Sequence, residues 1–159
     1  MNSGRKAHIA AIDGLRAVAV LAIILFHIQS AWLPGGFIGV DIFYVISGFV
    51  VAKSVASAPT EGLLVYFQWF YRRRLLRILP AAAVFIILMS LLSTLFIPPY
   101  SRFIEVTGIS ALFGLSNFVL LYTSGDYFAA ASSYNPFTHT WSLAVEEQYY
   151  LLFPFFSLI

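Results

Sequence analysis

Long apolar stretches separated by short polar breaks dominate the chain, and this pattern predicts membrane helices. A transmembrane helix needs about 20 mostly apolar residues, and four or five segments approach that length. The predicted segments are Ile9–Ala31, Phe37–Ala56, Pro80–Ile97, Glu105–Tyr122 and a last helix from Thr140 to the final residue. We therefore expect an all-α fold, a polytopic transmembrane helix bundle.

The intervening segments refine this picture. Leu64–Ile78 is rich in aromatic residues and arginine and is too charged to span, so we expect a basic interfacial helix on the cytoplasmic side. Pro80 suits the first turn of the helix that follows. Glu105–Tyr122 contains Thr, Gly, Ser and Asn, which leaves it either a span or a re-entrant segment. Ser124–Thr138 is predicted to be a loop.

Composition makes lipid the expected solvent. Hydrophobic residues form 60% of the 159 residues and charged residues only 10%, with a mean hydropathy of +0.87. A soluble domain carries roughly 25% charged residues. The net charge of +2 is too small and too scattered for a nucleic-acid groove. The absence of cysteine excludes disulfides, thiolate metal sites and a cysteine acyl-enzyme, and the three histidines lie too far apart to suggest zinc.

Lysine and arginine concentrate on one side of the predicted bundle. If the first two helices form a hairpin, seven basic residues share a side: Arg5, Lys6, Lys53, Arg72, Arg73, Arg74 and Arg77. Only Arg102 lies on the other side. Because short cytoplasmic loops are enriched in Lys and Arg, we expect a multi-pass protein of the cell membrane with a cytoplasmic N-terminus. The tip at residues 34–36 is then external.

The first helix carries a polar stripe. Arg16 and His27 are eleven positions apart, about three turns plus 20°, so they share a face. Asp13 precedes Arg16 by three positions and can pair with it. A charge near the centre of a membrane helix costs about 2.5–3.5 kcal/mol. Either an interfacial Asp–Arg pair accompanies a satisfied histidine, or this face borders a wet cavity in which His27 acts as a general base.

The second helix contains one acid in an apolar run. Asp41 needs a partner in lipid, and His27 in the preceding antiparallel helix is a candidate by depth. Such a pair would orient the imidazole. The small residues nearby, Gly39, Ser47 and Gly48, favour close helix packing alone.

Two further groups of charges admit two interpretations each. Arg74 and Arg77 are spaced i, i+3 on one helical face, which suits either a clamp for nucleotide phosphates or an anchor for anionic lipid headgroups. Glu146 and Glu147 point about 100° apart, so at most one of them faces a given cavity squarely. Alternatively, both acids are favoured near a helix N-terminus by the macrodipole.

Together these segments resemble the acyltransferase-3 family of membrane O-acyltransferases. The motifs that carry the resemblance are Asp13–Ala17 followed by His27, the run Gly36–Phe49, the pair Arg74 and Arg77, and Trp141–Gln148. The resemblance implies transfer of an acyl group, usually acetyl, from cytoplasmic acyl-CoA to a hydroxyl of an extracytoplasmic carbohydrate. We expect no metal ion in the site, because the three histidines lie far apart in the sequence.

The resemblance also implies roles for individual residues. His27 would deprotonate the acceptor hydroxyl; the pairing with Asp41 rests on helix depth alone and not on the resemblance. Arg74 and Arg77 would hold the phosphates of acyl-CoA, and Arg16 would line the passage between donor and acceptor. Glu146 would shape the site.

The resemblance covers only part of a family domain, and two other functions are compatible with the sequence. Domains of this family contain more membrane helices than the four or five predicted here, so we expect residues 1–159 to be the N-terminal half of such a domain. A transporter or flippase whose polar stripe lines a permeation path is the first alternative. An inactive truncated remnant is the second.

Overall fold

The computed structural model describes residues 10–96, 102–124 and 135–158, and the elements in these ranges are helical. The helices are α1 (Ala10–Ile28), α2 (Gly39–Val55), α3 (Leu63–Phe96), α4 (Arg102–Ala111), α5 (Ser116–Ser124) and α6 (Thr140–Phe156), with a 3₁₀ turn at Gly36–Ile38 before α2. The predicted all-α class is confirmed.

Three stretches of the described chain are long and apolar enough to cross a membrane. They are Ala10–Ile28, Gly36–Val55 and Leu63–Phe96. Many of their leucine, isoleucine, valine and phenylalanine side chains are exposed, as they would be in contact with lipid tails. The chain divides into two compact units, residues 1–57 and residues 58–159.

The first unit is an antiparallel hairpin of α1 and α2 held together by glycine. A Cβ atom on Gly39 would lie 2.6 Å from the carbonyl oxygen of Ala19, and a Cβ atom on Gly36 would collide with the carbonyl oxygen of Ala22. Only a residue without a side chain permits this approach of two backbones. The packing interpretation of Gly39 is therefore confirmed.

In the second unit, α3 corrects a predicted boundary. We expected an interfacial helix over Leu64–Ile78 and a separate span from Pro80, but α3 runs unbroken through Pro80. The proline removes one backbone hydrogen bond, to the carbonyl of Leu76, and membrane helices tolerate that loss where neighbouring groups compensate. The 34 residues of α3 extend about 51 Å. Because the hydrocarbon core is about 30 Å thick, the basic N-terminal part still projects beyond it.

The predicted helix over Glu105–Tyr122 is interrupted. α4 and α5 are separated by a turn in which Gly114 adopts a left-handed conformation with φ of +65°. Each helix is about 15 Å long or less, too short to cross a bilayer alone. Of the two alternatives for this segment, one continuous span is contradicted, whereas a re-entrant segment is compatible with two short helices joined by a turn. A single glycine in an apolar run gives no sign of whether the chain turns.

The last elements of the chain agree with expectation where they are described. Most of the loop predicted over Ser124–Thr138 lies outside the described residues. From Asn135 onward the chain forms turns, and α6 begins at Thr140 and includes Pro154, as predicted. Phe137 is fully buried and packs with residues of α3 and α4, namely Ile86, Ile104 and Ala111.

Candidate functional site

A cavity of about 210 Å³ lies between α3 and α6. Its lining residues are Arg74, Arg77, Ile78, Ala81, Ala82, Leu143, Glu146 and Tyr150. Three of the six side chains singled out from the sequence therefore meet in one place, although Arg77 and Glu146 are far apart in the chain. We call this cavity the arginine pocket.

The helical period of α3 explains which arginines enter the pocket. Arg74, Arg77 and Ile78 follow the spacing i, i+3, i+4, which places them on one face of the helix. Arg72 lies about 200° around the helix from Arg74, on the opposite side, and is exposed. Arg73 is exposed as well and contacts the ring of Trp69 instead. The structure thus separates the four arginines into two groups.

The period of α6 separates its two glutamates in the same way. Leu143, Glu146 and Tyr150 follow the spacing i, i+3, i+7 and line the pocket. Glu147 points elsewhere and packs on the turn between α4 and α5, where its Oε2 atom lies 2.6 Å from the position of a Cβ on Gly114. The expectation that only one glutamate faces a given cavity is confirmed.

Tyr150 joins the charged groups of the pocket. The guanidinium carbon of Arg74 lies 5.1 Å from the centre of the Tyr150 ring and 5.6 Å from that of Phe70, within the range of cation–π attraction. The hydroxyl of Tyr150 donates a hydrogen bond to Oε1 of Glu146. Tyr150 is buried, with 6% of its surface exposed. The sequence analysis missed this residue, and the only signal was its position four residues after Glu146.

Aromatic residues hold α3 and α6 together beside the pocket. The hydroxyl of Tyr66 lies 2.6 Å from Oγ of Ser157, and the hydroxyl of Tyr71 donates to the carbonyl of Leu151 at 2.8 Å. The helices are therefore antiparallel. The rings of Phe70 and Phe153 stack nearby with centres 6.2 Å apart.

The pocket opens where these large side chains stop. Further along α3 the lining residues are Ala81 and Ala82, whose methyl groups leave the space between the helices unfilled. Large rings at one level and alanines at the next thus account for the cavity between the two helices.

A second contact fixes the rotation of α6. The Nε2 atom of Gln148 donates to the carbonyl of Gly114 at 2.7 Å and to Oδ1 of Asn117 at 2.9 Å. The Nδ2 atom of Asn117 donates back to Oε1 of Gln148 at 3.2 Å. Because Gln148 is held on this side, Glu146 is directed into the arginine pocket. These partners are 31 and 34 residues apart, and nothing local in the sequence indicated them.

In the first unit, His27 is exposed on α1. Its Nδ1 atom lies 2.8 Å from the carbonyl oxygen of Ile23, one turn earlier. A carbonyl only accepts, so Nδ1 carries the proton, and the lone pair of the neutral imidazole is at Nε2. Asp13 and Arg16 form the predicted ion pair, with Oδ1 and Nη1 3.5 Å apart.

Asp41 does not lie beside His27. Gly39 packs against Ala19, and Asp41 follows two positions later, about 200° around α2, where it is exposed on the side away from α1. The same antiparallel register places Asp41 near the level of Ala19, about 12 Å along the axis from His27. The hairpin therefore does not form the His27–Asp41 pair that the sequence suggested.

These features define a helical membrane domain with a cationic pocket. A family model, the acyltransferase domain of the acyltransferase-3 family, matches residues 9–159. The chain belongs to this family, as its motifs predicted.

Several curated relatives resemble the chain closely. It is 35% identical over 154 residues to the peptidoglycan O-acetyltransferase OatA of Listeria monocytogenes, covering 97% of this chain and 25% of that protein. It is 38% identical over 152 residues to the putative peptidoglycan O-acetyltransferase YrhL of Bacillus subtilis, covering 96% and 24%. It is 38% identical over 147 residues to the O-acetyltransferase OatA of Staphylococcus aureus, covering 92% and 24%. The chain thus spans about a quarter of the length of these relatives. No solved structure matches it.

Proposed function

We propose that this domain transfers an acetyl group from acetyl-CoA to a hydroxyl of an extracytoplasmic carbohydrate, with peptidoglycan as the acceptor class. Membership of the acyltransferase-3 family supports acyl transfer, and the names of the relatives support a peptidoglycan acceptor. The observation that carries the proposal is the arginine pocket, in which two guanidinium groups and a carboxylate converge.

The arginine pocket is the proposed contact for the donor. Arg74 and Arg77 lie one turn apart on a single face, and guanidinium groups bind phosphate oxygens through paired, charge-assisted hydrogen bonds. Ligand pockets for whole drug-sized molecules measure about 300–1,000 Å³, whereas this cavity measures about 210 Å³. It therefore suits a phosphate-bearing part of acetyl-CoA, and the rest of the donor lies outside it.

Glu146 and Tyr150 shape this site in the proposal. The guanidinium carbon of Arg74 lies over the ring of Tyr150, 5.1 Å from its centre, and the Tyr150 hydroxyl donates a hydrogen bond to one oxygen of Glu146. A planar guanidinium that rests on a ring keeps its N–H groups in a defined plane, which favours two-point binding of a phosphate. Tyr150 is in this sense a positioning residue.

His27 is the proposed general base. With Nδ1–H bonded to Ile23, the Nε2 atom accepts the proton of the acceptor hydroxyl. The hydroxyl oxygen attacks the thioester carbonyl, the carbon–sulfur bond breaks, and coenzyme A leaves as a thiolate that is then protonated. Because Asp41 faces away from α1, it is not the partner of the imidazole in this step.

The proposed sidedness follows from charge. The basic residues around the arginine pocket belong on the cytoplasmic side by the positive-inside rule, where acetyl-CoA is found. The N-terminus is then cytoplasmic in the plasma membrane. Arg16, paired with Asp13, is proposed to line the route between donor and acceptor.

The proposal is tested by acetyl transfer in proteoliposomes. Radiolabelled acetyl-CoA and a peptidoglycan glycan are supplied to the wild type and to His27→Ala. We expect turnover to fall by roughly 10²–10⁴-fold, the usual contribution of a general base, while the affinity for coenzyme A stays unchanged. Equal turnover in both proteins would remove His27 from the mechanism. No transfer by the wild type would favour the inactive remnant.

One observation favours a transporter as a second candidate. The interruption between α4 and α5 resembles the broken helices that form substrate sites in transporters. However, the carbonyl of Gly114 at this break accepts a hydrogen bond from Gln148, so protein groups satisfy it. Flux of the glycan across proteoliposomes without acetyl-CoA would support transport over acetyl transfer.

A further inference from the structure

Two arginines of α3 do not line the arginine pocket, and they form an exposed surface beside it. Arg72 and Arg73 are exposed, and the guanidinium carbon of Arg73 lies 5.1 Å from the centre of the Trp69 ring. We propose that this surface, defined by Trp69, Arg72 and Arg73, binds the headgroups of anionic phospholipids. The proposal does not depend on acetyl transfer.

The first support is the lack of an internal counter-ion. Over residues 10–96, 102–124 and 135–158, no carboxylate forms an ion pair with Arg72 or Arg73. The arginines of the pocket, by contrast, share it with Glu146. Two adjacent exposed guanidinium groups without a carboxylate partner are accessible to anions from outside, and lipid phosphates are the anions present at a membrane surface.

The second support is depth. From Ile78 to Phe96, α3 carries 19 residues without a charge, a length of about 28 Å, close to the roughly 30 Å of a hydrocarbon core. Arg72 and Arg73 precede the start of this run by six and five positions, or about 9 and 7.5 Å. They therefore lie at the level of the lipid headgroups, where the ring of Trp69 is also favoured.

The third support is the apolar surface beside the arginines. Leu76 lies four positions after Arg72 and three after Arg73, on the same side of α3, and 66% of it is exposed. A cationic group above an exposed leucine complements a phospholipid, whose phosphate lies above its acyl chains. A soluble phosphate would gain nothing from this second contact.

The test uses Trp69 as its own reporter. Replacing Trp32 and Trp141 with Phe leaves Trp69 as the sole tryptophan. The protein is reconstituted in phosphatidylcholine vesicles that contain either brominated phosphatidylglycerol or brominated phosphatidylcholine at equal mole fraction. We expect the anionic lipid to quench Trp69 more strongly, with a preference of roughly fivefold for each arginine.

Charge-matched variants separate the two arginine groups. Arg72→Gln with Arg73→Gln should abolish the preference for phosphatidylglycerol, whereas Arg74→Gln with Arg77→Gln, which removes the same charge, should keep it. The ratio between the two lipids cancels any direct effect of Arg73 on Trp69 fluorescence.

Three outcomes would overturn the proposal. The first is equal quenching of the otherwise unsubstituted sole-tryptophan protein by both lipids. The second is a preference that survives in the Arg72→Gln, Arg73→Gln variant. The third is loss of the preference on adding soluble glycerol phosphate, which would make the surface a site for free phosphate. If the double variant fails to fold, Arg73→Lys is used, and a preference unchanged from the parent at low salt but lost at high salt supports the proposal.

Discussion

The hairpin of α1 and α2 differs from the packed pair α3 and α6 in where its polar side chains lie. In the hairpin, Gly39 brings the two backbones into close contact, and His27 and Asp41 are exposed. Between α3 and α6, bulky rings such as Phe70 are followed further along α3 by alanines, and Arg74 lines the cavity there. Both regions have polar residues in apolar helices, so the spacing of the helices decides whether these residues form a pocket.

The largest expected effect is on the binding of coenzyme A at the arginine pocket. Arg74→Ala should weaken the binding of coenzyme A by about 10- to 100-fold, because hydrogen bonds to charged groups contribute about 1.5–3 kcal/mol. Arg74→Lys should restore only part of the affinity, since a lysine cannot bind phosphate through a planar pair of donors. The measurement is equilibrium binding of coenzyme A to the detergent-solubilised protein.

The control for this prediction is Arg102→Ala, which removes an exposed arginine at the start of α4. It should bind coenzyme A as the wild type does. If Arg74→Ala binds equally well, the pocket is not the donor site.

The next effect tests the close packing of the hairpin. Gly39→Val places side-chain atoms against the carbonyl of Ala19, which belongs to the backbone and cannot move aside cheaply. Overpacking of this kind costs about 1–3 kcal/mol. We expect a lower midpoint of thermal unfolding in detergent.

Gly14→Ala is the matched control, because a Cβ atom there meets nothing within 4 Å. Alanine is favoured over glycine inside a helix by about 1 kcal/mol, so this variant should be as stable as the wild type or more so. Equal destabilisation by both substitutions would contradict the packing argument.

The sequence predicted those parts of the fold that depend on local pattern. The bounds of α1 and α2 follow from long apolar runs around a Pro-Gly-Gly turn, and the start of α6 at Thr140 follows in the same way. The predicted start of a separate helix at Pro80 is wrong, because a proline is compatible with both the first turn of a helix and the interior of a membrane helix.

The site was predictable only as a set of residues. Family motifs indicated Arg74, Arg77 and Glu146, but their meeting depends on the antiparallel packing of helices far apart in the chain. The contacts of Tyr150 and Gln148 depend on the same packing and left no local pattern. The predicted pairing of Asp41 with His27 is wrong. It assumed that the two residues lie at similar depths in the membrane, whereas the contact of Gly39 with Ala19 sets a different register of α2 against α1.

The smallest expected effect concerns Tyr150, which contacts both Arg74 and Glu146 in the arginine pocket. Tyr150→Phe removes the hydrogen bond to Glu146 but keeps the ring under Arg74, so the affinity for coenzyme A should fall only a few fold, in line with about 0.5–1.5 kcal/mol for one hydrogen bond. Tyr150→Leu removes the ring as well and should lower the affinity further, by the cation–π contribution of about 0.5–2 kcal/mol.

Tyr149→Phe is the matched control, because it makes the same chemical change one position away on a side chain that does not line the pocket. It should bind coenzyme A with unchanged affinity. A merely structural role of Tyr150 would lower thermal stability in both of its variants without a graded loss of affinity. If Tyr150 positions Arg74, the affinity for coenzyme A should decrease from the wild type to Tyr150→Phe and again to Tyr150→Leu, while the thermal stability of the three proteins stays similar. A residue that only fills space between two helices would not give this graded decrease.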